Sequence, residues 1–417
     1  MNRGIVIIGS GLCGGNAAVT LRQDGYREPV TLIGDEPGPP FGRPPLSKGY
    51  LRGEEDLTGW QVKPAEWYEA NGVERLTARV AGLDVSAHEA VLEGGERISY
   101  DRLLVATGGD PRKLNLPGAE LAGVFCLRTQ ADCDAIREAA QPGRRATVVG
   151  MGFIGAEVAA SLRRMGVHVT GIASGTGPLA SVLGDEVAAV LAAVHREKEV
   201  DLVIGDRAAG FIGDGHVAAV VTSKGARIAC DFAVVGVGVE PAVALLSGSG
   251  VAVDNGVLVD AQCRTSVIDV YAAGDVANHL HPVFGRLRVE HYNNAERQGR
   301  AAARNMLGSN EPYADLHSFW SDQYENHIEY LGHAPHWDQF VVRGSIEDRA
   351  FLGFYLEGGE VKAVMGMNRG GDPEADEGGE LDVAKALVRI KKRVDPAALA
   401  DEKVDLRSLA PAADLST

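Results

Sequence analysis

GIVIIGSGLCGGNAAVTLRQDGYREPVTLIGD, residues 4–35, decides how the rest of this chain is read. The apolar run 5–8 predicts a short buried strand. It enters a turn in which Gly9, Gly11 and Gly14 stand at G-x-G-x-x-G spacing. A helical stretch follows, with Ala17, Ala18 and Leu21 on one face, and then a second strand over 30–33 that delivers Asp35 and Glu36. Each part has a physical task. Gly9 permits the tight turn, Gly11 lets backbone approach a pyrophosphate, and Gly14 lets helix and strand pack closely. The helix N-terminus offers free N–H groups to phosphate, and the acids at the second strand's end can take ribose hydroxyls. The stretch predicts an α/β fold that opens on a dinucleotide site.

The pattern returns. A strand over 146–149 leads into Gly150, Gly152 and Gly155, within VVGMGFIGAEVAASLRRMG, and a further strand is expected over 167–172. Ile154 and Glu157 lie beside these glycines, with Glu157 read on the first turn of the helix. Two complete fingerprints predict two dinucleotides. The second unit departs from the pattern at its acid, because Ala173, Ser174 and Gly175 occupy that position. The ribose 2′-OH then lacks its usual acceptor, and no arginine in 174–178 is placed to take a 2′-phosphate. The choice between NADH and NADPH stays open.

Between the fingerprints lies PGPPFGRPPLSKGYL, residues 37–51, whose prolines predict extended backbone. Arg43 is expected near the first nucleotide and Lys48 near a redox ring. Val80 opens a small hairpin. A buried strand over 103–105 ends in Ala106-Thr107-Gly108, small residues that admit a ligand to the strand end. A long amphipathic helix is expected over 179–200. Further on, Gly236 and Gly238 permit close backbone approach beside the second nucleotide. The run DVYAAGDV, 269–276, delivers Gly274 and Asp275 to a strand's carboxyl end, where a following helix N-terminus can face a flavin. Asn294 and Ala295, on a helix over 290–304, are expected over that flavin. Lys48 and Glu157 are expected to pair.

The 417 residues predict two or three domains, and the net charge of −16 argues against a general affinity for nucleic acid or anionic membrane. No apolar run approaches the ~20 residues of a membrane span. Five scattered cysteines with no C-x-x-C predict reduced thiols and a cytoplasmic protein. His327, His333 and His336 cluster loosely, but no carboxylate or cysteine completes a recognisable metal set, so no metal is expected.

The order of Gly9-x-Gly11-x-x-Gly14, R43-P-P-L-S-K48, A-T107-G108, Gly150-x-Gly152-x-x-Gly155-A-E157, A-A-G274-D275 and F319-W320-S-D-Q-Y324 resembles the FAD-dependent NAD(P)H:ferredoxin reductases of bacterial cytochrome P450 and ring-hydroxylating dioxygenase systems. RPPLSK without upstream cysteines and FWSDQY are its specific parts. The resemblance implies a glutathione-reductase-like two-dinucleotide-binding fold with a C-terminal α+β domain. It implies an FAD-binding domain split over 1–109 and 229–314, an NAD(P)-binding domain over 110–228 and a C-terminal domain over 315–417. It implies hydride transfer from NAD(P)H to FAD, then single electrons to a [2Fe–2S] ferredoxin. It also implies that Lys48 and Glu157 flank the isoalloxazine and that Trp320 lies near its exit side. Arg389, Lys391, Lys392 and Arg393 form the one dense basic run, a candidate dock for an acidic ferredoxin, joined in that reading by Arg286, Arg288 and Arg297. Two other acceptors remain open, rubredoxin or a small molecule. So does a redox-gated binding flavoprotein with a weakened nicotinamide site.

Overall fold

The computed structural model describes residues 3–373 and 375–410. Residues 1, 2, 374 and 411–417 of the expected domains lie outside the described residues. The chain divides into two compact units. The first is Met1–Pro45, Asp56–Asp110 and Val239–His317; the second is Leu46–Glu55, Pro111–Gly238 and Ser318–Thr417.

The first unit is built on a five-stranded sheet in the order Val270–Ala272, Arg102–Val105, Ile5–Ile8, Val30–Gly34, Val73–Thr77. Every pairing in it is parallel, with Ile8 opposite both Ile33 and Val105. A parallel sheet is covered on both faces, which is why its central strand reads as an unbroken apolar run. One face packs Ile5, Ile7 and Leu104 against Ala17 and Leu21 of the helix Leu12–Gln23 and against Ala302 and Met306 of the helix Tyr292–Leu307. The other packs Val6, Ile8 and Val105 against Leu92, Leu245 and Val257. The hairpin expected after Val80 is the first part of a three-stranded antiparallel sheet.

The second unit repeats the parallel design in the order Val200–Ile204, His168–Ala173, Arg145–Val149, Phe232–Val235, Val124–Cys126. It adds an antiparallel five-stranded sheet, Ser318–Gln323, Asn326–Gly332, Glu360–Met367, Ala350–Glu357, Gln339–Ser345, covered by the helix Glu380–Ile390. Leu183, Val187 and Leu191 pack against Phe319, Tyr330, Tyr355 and Met365 of that sheet.

Several expectations change. The 37–51 stretch is not extended throughout, since Pro44–Ser47 forms a 3-10 turn and Gly49–Arg52 a helical turn. Proline is tolerated in a first turn, where its missing N–H has no partner to lose. The long helix covers Ala180–Glu197, and Gly184 within it is non-helical at φ 83°. A Cβ there would lie 3.0 Å from the Trp337 ring, so glycine admits both the bend and the indole. No α-helix follows Asp275 directly. Gly274–Val276 is a 3-10 turn, and Ala277–His281 then pairs as a strand with Val257–Val259 and Gly285–Arg288. The sheet takes the backbone groups that a helix would have used. Glu157 is in the second turn of its helix, Phe153–Arg164, whose first turn carries no acid.

Candidate functional site

The three glycines of each fingerprint meet different neighbours. A Cβ on Gly9 would lie 2.1 Å from the Ala106 carbonyl oxygen, and one on Gly14 would lie 1.9 Å from the Gly9 carbonyl oxygen. Gly9 also has φ +112°, a region that favours glycine. Gly11 is unlike both. Its backbone (φ −80°, ψ −167°) suits any residue, and among the described residues nothing lies within 4 Å of its Cβ position. The helix it opens has no side-chain cap and no acid in its first turn. Glycine at 11 therefore serves space, not conformation, and the cradle fits a pyrophosphate on free N–H groups. The second fingerprint repeats this. Gly150 has φ +92°, a Cβ on Gly155 would lie 1.8 Å from the Gly150 carbonyl oxygen, and Gly152 is unstrained and open.

Around the first cradle the expected residues separate by what holds them. Glu36 is largely buried and receives Arg43 Nη2 at 2.8 Å, whereas Asp35 is exposed and only 3.9 Å from Arg79. Glu36 is the better-placed acid. Arg43 also lies over the Phe41 ring at 5.6 Å. Ala106 is buried, with its N–H on the Ile8 carbonyl, and Gly108 has φ +68°. Thr107 donates its hydroxyl to the Ala242 carbonyl at 2.8 Å, so that donor serves the fold. Gly274, at φ +77°, donates its N–H to buried Gln298 at 2.8 Å, and its Cβ position lies 3.0 Å from Cys13 and 3.8 Å from Ala295. The Asp275 carbonyl accepts from Arg288. Asn294 is buried and accepts from the Tyr313 hydroxyl, which braces the start of its helix. Val80 begins its strand half-buried. Gln298 escaped sequence reading because a glutamine inside a helix carries no local signal.

Around the second cradle, a Cβ on Gly150 would lie 2.4 Å from the Gly236 carbonyl oxygen. Gly238 has φ +98° and accepts from the Arg112 N–H. Ile154 is exposed at the helix start. Ala173 is buried, with Ser174–Thr176 exposed after it, and the Thr176 hydroxyl donates to Asp185 at 2.5 Å. A carboxylate from the next helix thus stands beside the strand end that lacks one.

Lys48 and Glu157, 109 positions apart, meet at 2.7 Å with the carboxylate buried. Ser47 donates to Glu157 Oε2 at 2.5 Å and Ser321 to Oε1 at 2.8 Å. The segment that carries Lys48 is pinned too. Ser161 donates to the Ser47 carbonyl, Arg52 to Ser161, and Tyr50 to Asp134. A buried ion pair persists where its remaining lone pairs are satisfied, and here they are. Trp320 is the neighbour of Ser321 in the strand Ser318–Gln323 and points to the opposite face. Ser47 and Ser321 are functional candidates that sequence reasoning missed.

On that opposite face, Asp322 and Glu329 hold His327 at 2.6 and 2.8 Å. The two carboxylates push its imidazole from 6.5 up to about 10. The folded value lies above the unfolded one, so the stabilisation is full below pH 6.5 and is lost as pH rises through 10. The melting temperature is expected to fall more between pH 7 and 10 in the natural protein than in His327→Ala, as thermal melts at both pH values would show; equal falls would remove this role.

Arg389, Lys392 and Arg393 are exposed at the end of the helix Glu380–Ile390, with Lys391 at its left-handed C-cap. The expected companions in the first unit carry less. Arg288 is buried against Glu290, Arg286 donates to the Asn278 carbonyl, and Arg297 faces Asp315. The charges of Arg288 and Arg297 face acids in their own unit, so the basic run stands on its own residues. Among the described residues no helix is long and apolar enough to cross a membrane.

Residues 3–299 match the family model described as pyridine nucleotide-disulphide oxidoreductase, and residues 318–410 match the one described as reductase C-terminal. The chain is 34% identical to the rhodocoxin reductase of Rhodococcus erythropolis, over 97% of this chain and 93% of that protein. It is 36% identical to the ferredoxin–NAD(+) reductase component of the biphenyl dioxygenase system of Paraburkholderia xenovorans, over 97% and 98%. A crystal structure of a covalent putidaredoxin reductase–putidaredoxin complex superimposes with a TM-score of 0.91 at 32% identity, covering 97% of both chains.

Proposed function

We propose, from the premise that this chain belongs to the pyridine nucleotide-disulphide oxidoreductase family, that it is an FAD-dependent ferredoxin reductase passing electrons from NADH to a [2Fe–2S] ferredoxin that serves an oxygenase. The observation that carries this reading is the Lys48–Glu157 ion pair, whose carboxylate is buried on the helix that opens the second nucleotide cradle. FAD, when bound, accepts two electrons with a hydride and releases them singly. The first cradle, at Gly11, holds its pyrophosphate, with Glu36 for the ribose and Gly274 for close approach. The second cradle, at Gly152, holds the nicotinamide nucleotide. Division of the chain into an FAD-binding part (1–109 and 229–314), a nucleotide-binding part (110–228) and a C-terminal part (315–417) belongs to this reading.

Glu157 fixes the Lys48 ammonium at 2.7 Å, and two serine hydroxyls fix both carboxylate oxygens. The lysine is therefore placed before any ligand arrives, and no reorganisation is needed at the moment of reaction. Asp185, through Thr176, supports a preference for NADH over NADPH, since a carboxylate there accepts from a ribose hydroxyl and repels a 2′-phosphate. Five unpaired thiols support a reducing, cytoplasmic setting. Anaerobic mixing of the purified holoprotein with NADH, and separately with NADPH, tests the reading. Rapid bleaching of the flavin by NADH is expected, with NADPH slower. No bleaching by either nucleotide with FAD bound would overturn it.

The ferredoxin docks on the basic run at 389–393, where local positive charge on a chain of net charge −16 orients an acidic partner. Reversing Lys391 and Lys392 to glutamate is expected to weaken ferredoxin reduction and flatten its salt dependence, while ferricyanide reduction stays unchanged. Equal loss with both acceptors would remove the dock.

A further inference from the structure

Glu157 is the end of a longer line of contacts. Ser321 donates to it at 2.8 Å, and the Gln323 amide nitrogen donates to Ser321 Oγ at 3.3 Å. The Gln323 amide oxygen meets His195 Nε2 at 3.0 Å, and the Tyr324 hydroxyl meets His195 Nδ1 at 3.3 Å. Ser321, Gln323 and His195 are all fully buried. Tyr324 is half-buried and lines a cavity of about 500 Å³ with Arg163, Lys198 and Glu325.

The direction of every bond follows from the atoms. An amide oxygen only accepts, so His195 carries its proton on Nε2. Burial holds the ring neutral, with its pKa down at about 4, so Nδ1 keeps a lone pair and accepts from Tyr324. The Gln323 nitrogen then donates to Ser321, and Ser321 donates to the carboxylate. Four successive donors point the same way. Aligned hydrogen bonds polarise one another, strengthening each by ~10–30%.

We propose that Tyr324, His195, Gln323 and Ser321 are positioning residues, a one-way hydrogen-bond chain that runs from the cavity to Glu157 and holds its carboxylate against Lys48. This rests on the reading of Lys48 and Glu157 given above. The chain transfers no proton in this account; it aligns dipoles on a buried anion. Its members come from a strand, the turn after it and a helix more than a hundred residues earlier, so they can act together only if this packing forms.

The test uses the full-length, FAD-loaded protein labelled with nitrogen-15 histidine. The His195 signals are assigned by their loss in His195→Gln. The His195 ring is expected as the neutral Nε2–H tautomer at neutral pH. Glu157→Gln is expected to shift the His195 ring signals, and Gln323→Leu to abolish that response; charge reversal at Lys392 is the control that leaves it alone. In stopped flow, His195→Leu is expected to slow flavin reduction about fivefold with nicotinamide affinity unchanged, and His195→Gln, which keeps a donor and an acceptor, to restore it to within about twofold. The Nδ1–H tautomer in the natural protein, or His195 signals unmoved by Glu157→Gln, would overturn the chain even if His195→Leu failed to fold. A natural protein that no nicotinamide reduces would instead overturn the functional reading, and the spectra would still decide this one.

Discussion

Glu157→Ala should be the most damaging single substitution at the candidate site. It removes the acceptor of three donors at once: Lys48 Nζ and the hydroxyls of Ser47 and Ser321. The ammonium is left in a mostly buried position without a counter-charge. Breaking a buried ion pair from one side costs about 3–5 kcal/mol. Glu157→Gln keeps an acceptor for one serine and should cost less. Flavin reduction by NADH is expected to slow about 100-fold in Glu157→Ala, the scale of losing one preorganised electrostatic group. Lys48→Met should slow it similarly while destabilising less, because the carboxylate keeps both hydroxyls. Denaturant melts and anaerobic stopped flow measure the two effects separately. If Lys48→Met and Glu157→Ala both leave flavin reduction unchanged, the pair is structural and the hydride step lies elsewhere.

The second large effect separates two glycines three residues apart. Gly152 has unstrained backbone and open space, so Gly152→Val should fold, retain FAD and lose nicotinamide affinity about 100-fold, roughly 2.7 kcal/mol. Gly155 is already against backbone, since its Cβ would lie 1.8 Å from the Gly150 carbonyl oxygen. Gly155→Ala must therefore push helix from strand, and the expected result is a lower melting temperature as well as lost binding. Fluorescence titration with NADH and thermal melts distinguish the two. A Gly152→Val protein that binds NADH like the natural one would show that the cradle holds no nucleotide. Gly11→Val, at the equivalent open position, should lose FAD by the same argument.

Much of the site was legible because its signals are local. The fingerprint glycines are read from spacing, and the strands beside them from apolar runs. The Lys48–Glu157 pairing was also anticipated, from residue types beside each cradle and the family resemblance. What escaped are residues whose role depends on a distant neighbour. Ser47 and Ser321 sit inside the two motifs RPPLSK and FWSDQY, yet nothing local says that they reach the two oxygens of one carboxylate. Thr107 and Asn294 lie where a ligand was expected, but their side chains also hold Ala242 and Tyr313 in the fold. Of two adjacent acids, only Glu36 finds an arginine at 2.8 Å.

The sequence by itself determined the elements and where the chain must turn tightly. Those depend on each residue's own φ preference and on the period of its apolar neighbours. It also determined the missing acid after Ala173 and the absence of paired cysteines. Only the tertiary structure decided that Asp185 stands near the strand end where that acid is missing, that Gly184 breaks its helix beside Trp337, and that His195 reaches toward Glu157 through Gln323 and Ser321. The physical reason is that a buried polar group must find a partner or bear the full cost of desolvation. Which partner it finds is set by how sheets and helices close over it, and residues far apart in the chain come within 3 Å only when they do.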